Sequence, residues 1–407
     1  MTSTNNFEIK HVLLFGLGLL GGGVATANWL LKQGAKLTIA DNKTKEQLAP
    51  SLSKITGEAN YVFGAEPSLE EVEILVLNPG VSFRHPLVLE ARKLGIPVVN
   101  EATIFYNLFP GKIIGITGTR GKTTTAHWTA HLIPGSILAG NSPDHPFLEA
   151  IRYKLKAKSS PCAVTEVSSF HLELFDETVR PPDIAVITNI YQDHLNRYIS
   201  MAEYAETKKN LYRWQKPGQI LITGKEEIAL DMGDFEKKWG AHNVLNLRMA
   251  ALAAHEAGVS WDEIQSRIAM LPQIPFRQEE IYNHNDLRII NDNNATSPDG
   301  GIAALERFAG PDTVLIAGGT DAKLDFTKWN EVVEKMIPKK HRIFLAGSAT
   351  QKMLEANACD TLEECLTSAL ALKPKIILFS PACKSFEKFT NEYDRGLQFN
   401  ALVKKLL

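Results

Sequence analysis

Cysteine is scarce in this chain: four residues in 407, at positions 162, 359, 365 and 383. No two of them have the Cys-x-x-Cys spacing, so neither a zinc site nor a disulfide framework is indicated, and a reducing cytoplasm suits them best. Charge of one sign is also missing. The net charge is −2, which gives no electrostatic footprint for nucleic acid. There is no internal repeat and no low-complexity segment. A hydrophobic fraction of 44% and a charged fraction of 22% are those of an ordinary soluble globular protein. One apolar stretch, residues 12–31, has membrane-spanning length. It carries Gly16, Gly18, Gly21, Gly22 and Gly23 as well as Asn28, and Lys10 is the only basic residue before His11. It therefore reads as a strand (12–15), a glycine turn and a helix (22–33), not as an anchor or leader.

What the chain does contain is Gly118-Thr119-Arg120-Gly121-Lys122-Thr123-Thr124. An apolar run, Ile113-Ile114-Gly115-Ile116, precedes it and reads as a buried parallel strand. Residues 125–130 follow and read as a helix. The glycines let backbone N–H groups approach phosphate oxygens, and the helix N-terminus adds partial positive charge. Lys122 is placed to reach terminal phosphates and the Thr123 hydroxyl to ligate Mg²⁺. Ile116 stands where the general pattern has its first glycine. The strand–turn–helix context is nonetheless the one the mechanism requires.

A chain of this length predicts two or three domains. In the first part, 12–15, 36–40 and 73–77 read as short buried strands with helices between them, and 86–94 as a further helix. This is a doubly wound α/β pattern. Gly16-x-Gly18-x-x-Gly21 follows the first strand, and Asp41 lies twenty residues beyond Gly21. That turn can hold any nucleotide. A second α/β block begins near Lys112, with strands at 162–166, 184–189 and 219–223 and an Ala-rich helix at 243–258. A third begins after Pro272 and Pro275, with strands at 287–291, 313–317, 342–345 and 375–379. The expected fold is α/β in three domains: 1–98, 99–273 and 274–407.

Acidic and histidine side chains follow consecutive strands of the central block, where open α/β sheets bind ligands. Glu166-Val167-Ser168-Ser169-Phe170-His171 follows one strand, and Asn189-Ile190-Tyr191-Gln192-Asp193-His194 the next. Glu166 and His194 can both approach a metal held at the phosphate loop. Tyr204 to Tyr212 reads as a helix whose adjacent Lys208 and Lys209 composition alone assigns to a solvated face.

Ordered strings along the whole chain resemble the Mur ligases. They are Gly16–Leu19, Asn78–Val81, Thr117–Thr124, Gly140-Asn141, Glu166–Glu173, Asn189–Tyr198, His242-Asn243 with Asn246, Pro275–Arg277, Ile290–Thr296, Gly318–Phe326, and Ser380–Cys383 through Arg395-Gly396. Ser-Pro-Ala-Cys and Glu-x-Ser-Ser-Phe are similar to strings of the branch that adds D-glutamate. The resemblance implies a Rossmann-like UDP-binding domain, a central P-loop-type ATPase domain and a C-terminal Rossmann-like domain. It implies a monomeric cytoplasmic enzyme that joins D-glutamate to UDP-N-acetylmuramoyl-L-alanine through an acyl phosphate, using ATP and Mg²⁺ during peptidoglycan synthesis. A related ligase adding a different amino acid is the alternative.

By the same resemblance, Lys122, Lys208, His194 and Glu166 are the catalytic set. Thr123, Glu166, His194 and a carbamylated Lys208 surround metal. Gly118 to Thr124, Asn243, Asn246, Arg277 and Asp292 contact ATP. Gly18, Leu19, Leu20, Asp41, Asn42, Asn141, Ser168 and His171 hold the UDP substrate, and Thr296, Lys323 and Ser385 hold the amino acid. The chain departs from the pattern at several positions. Arg120 replaces Asn, His171 replaces Gln, Asn196 replaces Asp and Asn294 replaces Lys. Lys323 comes one place late, Glu392 then Tyr393 displace an aromatic, and the 223–242 segment is short. A nicotinamide-dependent oxidoreductase explains nothing after Lys112. A folate-type ligase lacks Ser380–Cys383 and the Rossmann-like first domain. A non-catalytic relative would have lost one of Lys122, Glu166, His194 or Lys208, and all four are present.

Overall fold

The computed structural model describes residues 7–142, 144–151, 161–226, 228 and 230–407. The chain divides into two compact units, Met1–Pro272 and Gln273–Leu407. The first unit holds two sheets. β1 (His11–Phe15), β2 (Lys36–Asp41), β3 (Asn60–Phe63), β4 (Ile74–Leu77) and β5 (Val98–Val99) are ordered β3-β2-β1-β4-β5. β6 (Lys112–Thr117), β7 (Ile137–Gly140), β8 (Cys162–Glu166), β9 (Ile184–Ile187) and β10 (Ile220–Ile222) are ordered β10-β9-β6-β8-β7. Every pairing in both sheets is parallel. Helices cover both faces of such sheets, which is why β4 and the middle of β6 read as unbroken apolar runs.

The apolar stretch at 12–31 is β1, a turn and the helix Gly22–Lys32. No helix among the described residues is long and apolar enough to cross a membrane. The two sheets share one continuous core, joined through the helix Glu101–Leu108. Phe105 stacks on Phe109 at 5.0 Å, lies 5.5 Å from Phe147, and its neighbour Tyr106 meets Phe175 edge-on at 5.0 Å.

The second unit is built on β11 (Glu279–His284), β12 (Leu287–Asn291), β13 (Thr313–Ala317), β14 (Arg342–Leu345), β15 (Asn357–Cys359) and β16 (Ile376–Phe379). Their order is β11-β12-β16-β13-β14-β15, with β11 antiparallel to β12 and the rest parallel. Separate apolar clusters pack on its two faces, one around Trp329 and one around Phe399.

In each sheet the chain crosses to the other side of a central strand, and the crevice at the strands' C-terminal ends is where open α/β folds bind ligands. Gly16 and Asn78 follow β1 and β4. Gly118, Val167 and Thr188 follow β6, β8 and β9. Asp292, Ser380 and Gly318 follow β12, β16 and β13.

Candidate active site

The phosphate loop connects β6 to the helix Lys122–Leu132, with Gly121 in the left-handed region at φ 81°. Two of its glycines are required by contact. A Cβ on Gly118 would lie 1.8 Å from Thr188 Oγ1, and one on Gly121 would lie 2.2 Å from Asn246 Oδ1. The loop is pinned by its neighbours. Thr119 N donates to Asn189 O at 2.9 Å, and Arg120 N to Asn189 Oδ1 at 2.8 Å. Thr188 Oγ1 donates to Arg120 O at 2.6 Å. The Arg120 guanidinium reaches Asp193 at 2.8 Å, so this departure from the family pattern closes the loop against the segment after β9. Lys122 Nζ donates to Thr119 O at 3.1 Å. Thr123 is half-buried and Thr124 buried in the first turn of the helix.

Asn246, on the helix His242–Glu256, accepts from Thr125 Oγ1 at 3.4 Å and donates to Asn243 Oδ1 at 2.8 Å. The structure thus brings Asn243 and Asn246 to the phosphate loop.

Lys208 lies in the helix Met201–Lys209, capped by the Ser200 hydroxyl. Composition assigned both lysines to a solvated face. The structure corrects this for Lys208, because Tyr204 and Lys208 share the inward face at i, i+4 spacing. Lys208 is 1% exposed and donates to Gly118 O at 2.8 Å, with Nζ 4.6 Å from the Tyr204 ring centroid. Lys209 remains outside, paired with Glu206 at 2.5 Å. Burial, and then the neighbouring Lys122 cation, push the Lys208 amine down to about 6. Glu166, at the end of β8, is 6% exposed. It and Asp193 are the acidic groups that act on Lys208. His194 has φ 55° and packs edge-on against Phe170 at 4.8 Å, with Nε2 3.8 Å from Asp193. Among the described residues no three His, Cys, Asp or Glu side chains gather as a metal cage.

At the first sheet, Gly18 N donates to Asp41 Oδ2 at 3.0 Å and Lys43 N to Asp41 Oδ1 at 2.9 Å. Both carboxylate oxygens therefore serve the protein's own turn. Leu19 packs on the core, while Leu20 and Asn42 are exposed. Ser168 and His171 form a chain with a residue the sequence did not flag. Ser168 Oγ is 2.8 Å from His171 Nδ1, and His171 Nε2 is 3.2 Å from Glu101 Oε1. Glu101 also accepts from Thr26 Oγ1 at 3.3 Å. Asn141 is exposed, its N–H donating to Glu166 O at 3.0 Å.

In the second unit, Asp292 is 5% exposed and accepts from Gln278 N at 3.1 Å and Ser380 Oγ at 2.8 Å. Burial pushes its carboxyl up to about 7. Arg277 is exposed, and its charge acts on Asp292. Thr296 is half-buried, and Ser385 is 2% exposed with no hydrogen-bond partner for its hydroxyl. Lys323 is exposed at φ 59°, its N–H donating to Asp321 at 2.7 Å.

Family models match twice. Residues 116–244 match the Mur ligase middle domain, and residues 10–100 match the MurD-like N-terminal domain of Mur ligases. A UDP-N-acetylmuramoylalanine–D-glutamate ligase from Roseiflexus sp. is 30% identical, with 97% of this chain and 98% of that protein covered. The chain belongs to the Mur ligase family. A ligase of the same description from Koribacter versatilis is also 30% identical, covering 98% of both. The fold of the Mur ligases is shared with UDP-N-acetylmuramate–alanine ligase MurC from Thermotoga maritima, with a TM-score of 0.61 at 16% identity, covering 98% of this chain and 100% of that one.

Against that family pattern, sequence reading missed Glu101, Thr188 and Lys384. Each acts across a large separation in the chain: Glu101 on His171, Thr188 on the phosphate loop, and Lys384 near Thr296. No local motif announces such partners.

Proposed function

We propose that this chain is an ATP-dependent amide ligase that joins D-glutamate to UDP-N-acetylmuramoyl-L-alanine in the cytoplasm, as a monomer, during peptidoglycan synthesis. The relatives bearing that description align over nearly the whole of both chains. The observation that carries the chemistry is the pairing of Lys122 on the phosphate loop with a buried Lys208 that donates to Gly118 O of the same loop. Four free cysteines suit a reducing compartment. Segments 1–98, 99–273 and 274–407 take the UDP substrate, the ATP and the amino acid respectively.

In the first step, a carboxylate oxygen of the muramoyl-alanine attacks the γ-phosphorus, the bond to the β-phosphate oxygen breaks, and ADP leaves. Negative charge concentrates on the transferring group, and Lys122 with the loop N–H groups offsets it. In the second step, the amine of the amino acid attacks the acyl phosphate carbonyl, inorganic phosphate leaves, and the nitrogen loses a proton. Burial and the Lys122 cation push the Lys208 amine down to about 6, which favours the neutral form whose lone pair can add to CO₂ and release a proton, giving a carbamate. That changes a neutral amine into an anion near Glu166.

The donor set fits magnesium. Thr123 and Glu166 offer a hydroxyl and a carboxylate oxygen, and magnesium characteristically leans on one or two carboxylates plus substrate phosphates. Thr123, Glu166 and the carbamate of Lys208 would hold it, with His194 alongside, and bound there it supplies charge neutralisation for the phosphates. Asn243 and Asn246 flank the ATP loop, and the family resemblance adds Arg277 and Asp292 as ATP contacts. Gly18 to Leu20, Asp41, Asn42, Asn141, Ser168 and His171 bind the UDP substrate, with Thr296 and Ser385 on the amino-acid side.

The test is phosphate release from ATP with UDP-N-acetylmuramoyl-L-alanine, screened across amino acids. Release should need all three substrates and favour D-glutamate over L-glutamate, D-lysine and L-alanine. Lys122→Ala should lower it roughly a hundredfold or more with an unchanged melting temperature. Turnover without the UDP compound, or a preference for a basic acceptor, would overturn the reading.

A further inference from the structure

An acidic acceptor brings two carboxylates, and a closed pocket that selects it needs a cation. The sequence offered Lys323 for this task. In the structure that side chain is exposed. Its loop is occupied elsewhere: Asp321 takes the Lys323 N–H at 2.7 Å and pairs with Lys352 at 2.7 Å, and the Asp321 N–H donates to Ser348 at 2.9 Å.

A different lysine meets the residues of the amino-acid side. Lys384 Nζ lies 3.5 Å from Thr296 Oγ1 and 3.5 Å from Glu392 Oε1, an oxygen that is buried and has no hydrogen-bond partner. Lys384 is 38% exposed at its side chain and Glu392 21%. The ammonium therefore faces a protein carboxylate, on a side chain that remains partly open to solvent. An ammonium has three donors, and Thr296 and Glu392 account for at most two of them.

The backbone beneath Lys384 is fixed. Lys384 and Thr320 exchange hydrogen bonds, N to O at 3.2 Å and O from N at 2.9 Å. The guanidinium of Arg395, fully buried, donates to Cys383 O and Lys384 O at 3.2 Å each. Lys384 is thereby held where the loops after β12, β13 and β16 meet: Thr296 follows β12, Thr320 follows β13, and Lys384 itself follows β16.

We propose that Lys384, and not Lys323, is the cation that binds a carboxylate of the incoming amino acid, with Glu392 as the counter-ion that orients it until the acceptor arrives. This rests on the ligase reading above and names the specificity residue of that same site. It also accounts for two departures together. Where a lysine and an aromatic are displaced from their usual places, a lysine and a glutamate appear as a pair.

The experiment is steady-state phosphate release by the full-length chain with D-glutamate varied, comparing Lys384→Met, which keeps the aliphatic stem, with Lys323→Met, Lys384→Arg and Glu392→Gln. Lys384→Met should raise the Michaelis constant for D-glutamate roughly ten- to a hundredfold, with constants for ATP and the UDP substrate within about twofold. Lys323→Met should be near wild type, and Lys384→Arg should recover part of the loss. D-glutamine serves as the second acceptor. An unchanged rate with it in Lys384→Met assigns the lysine to the side-chain carboxylate, and a matching loss assigns it to the α-carboxylate. The proposal is overturned if Lys323→Met carries the acceptor defect. It is also overturned if Lys384→Met and Glu392→Gln lower the melting temperature alike and leave the acceptor constant unmoved, since that is the behaviour of a structural ion pair. If the wild-type chain releases no phosphate with these substrates, the ligase reading itself has failed, which is a separate result.

Discussion

At the residue scale, burial separates two adjacent lysines into different chemistries. Lys208 is enclosed against Gly118 and Tyr204, and desolvation makes its charged form costly. Lys209 keeps an exposed partner in Glu206 that is worth little energetically. Lys208→Ala should therefore reduce phosphate release at least a hundredfold, with partial recovery on adding short carboxylates. Lys209→Ala should stay within about twofold of wild type. Steady-state assays on the two variants check this, and an essential Lys209 beside a dispensable Lys208 would show that the wrong lysine had been assigned. The contrast was not legible in composition, because each lysine has the same local sequence character. Only the turn of the helix after its Ser200 cap decides which of them faces inward.

At the element scale, the phosphate loop is a three-way packing of the turn, the helix Lys122–Leu132 and the helix His242–Glu256. Gly121→Ala would add strain at a positive φ and set a methyl group against Asn246, itself held by Thr125 and Asn243. Gly135 has φ 71° with nothing near its missing Cβ. Urea denaturation should show Gly135→Ala costing about 1 kcal/mol from backbone strain alone. Gly121→Ala should cost about 1–3 kcal/mol and raise the Michaelis constant for ATP. Equal costs would mean that the helix contact does not confine the loop.

The elements legible in sequence were those with a physical signature of their own. β1, β4, β13 and β14 carry short apolar runs buried on both faces. The missed strands lie at sheet edges, where little is buried. β3 is half-exposed, β5 has two residues, β11 is an antiparallel border strand, and β15 is the polar Asn-Ala-Cys. A fifth missed edge strand, β7, runs straight into a site residue, Asn141. The phosphate loop could be read because its function lies in contiguous glycines. The Glu101–His171–Ser168 chain could not, because its first link joins residues seventy positions apart.

At the scale of the whole molecule, the two units carry their own cores, and the C-terminal one carries a buried acid. Asp292 is held at about 7 in the fold against 3.8 when unfolded. Between those values the folded state binds more protons than the unfolded one, so stability falls as pH rises from about 4 to about 7 and then levels off. Asp292→Asn retains the shape without the titration. Thermal melts of the full chain should show the wild-type midpoint dropping relative to the variant across that window, and running parallel above it. A wild-type midpoint that gains on the variant would mean that the carboxyl is stabilised in its charged form.

Arg395 has a consequence for how this enzyme can change. Its guanidinium grips main-chain oxygens of Cys383 and Lys384, and both the side chain and main chain of Asn293. The grip of Arg395 on position 384 is through the carbonyl alone, which every amino acid possesses. The side chain at that position is therefore free to be exchanged while its anchorage stays in place. A library of substitutions at 384 should shift which acceptors are accepted while leaving expression and melting behaviour largely untouched. The same library at 395 should yield mostly insoluble chains.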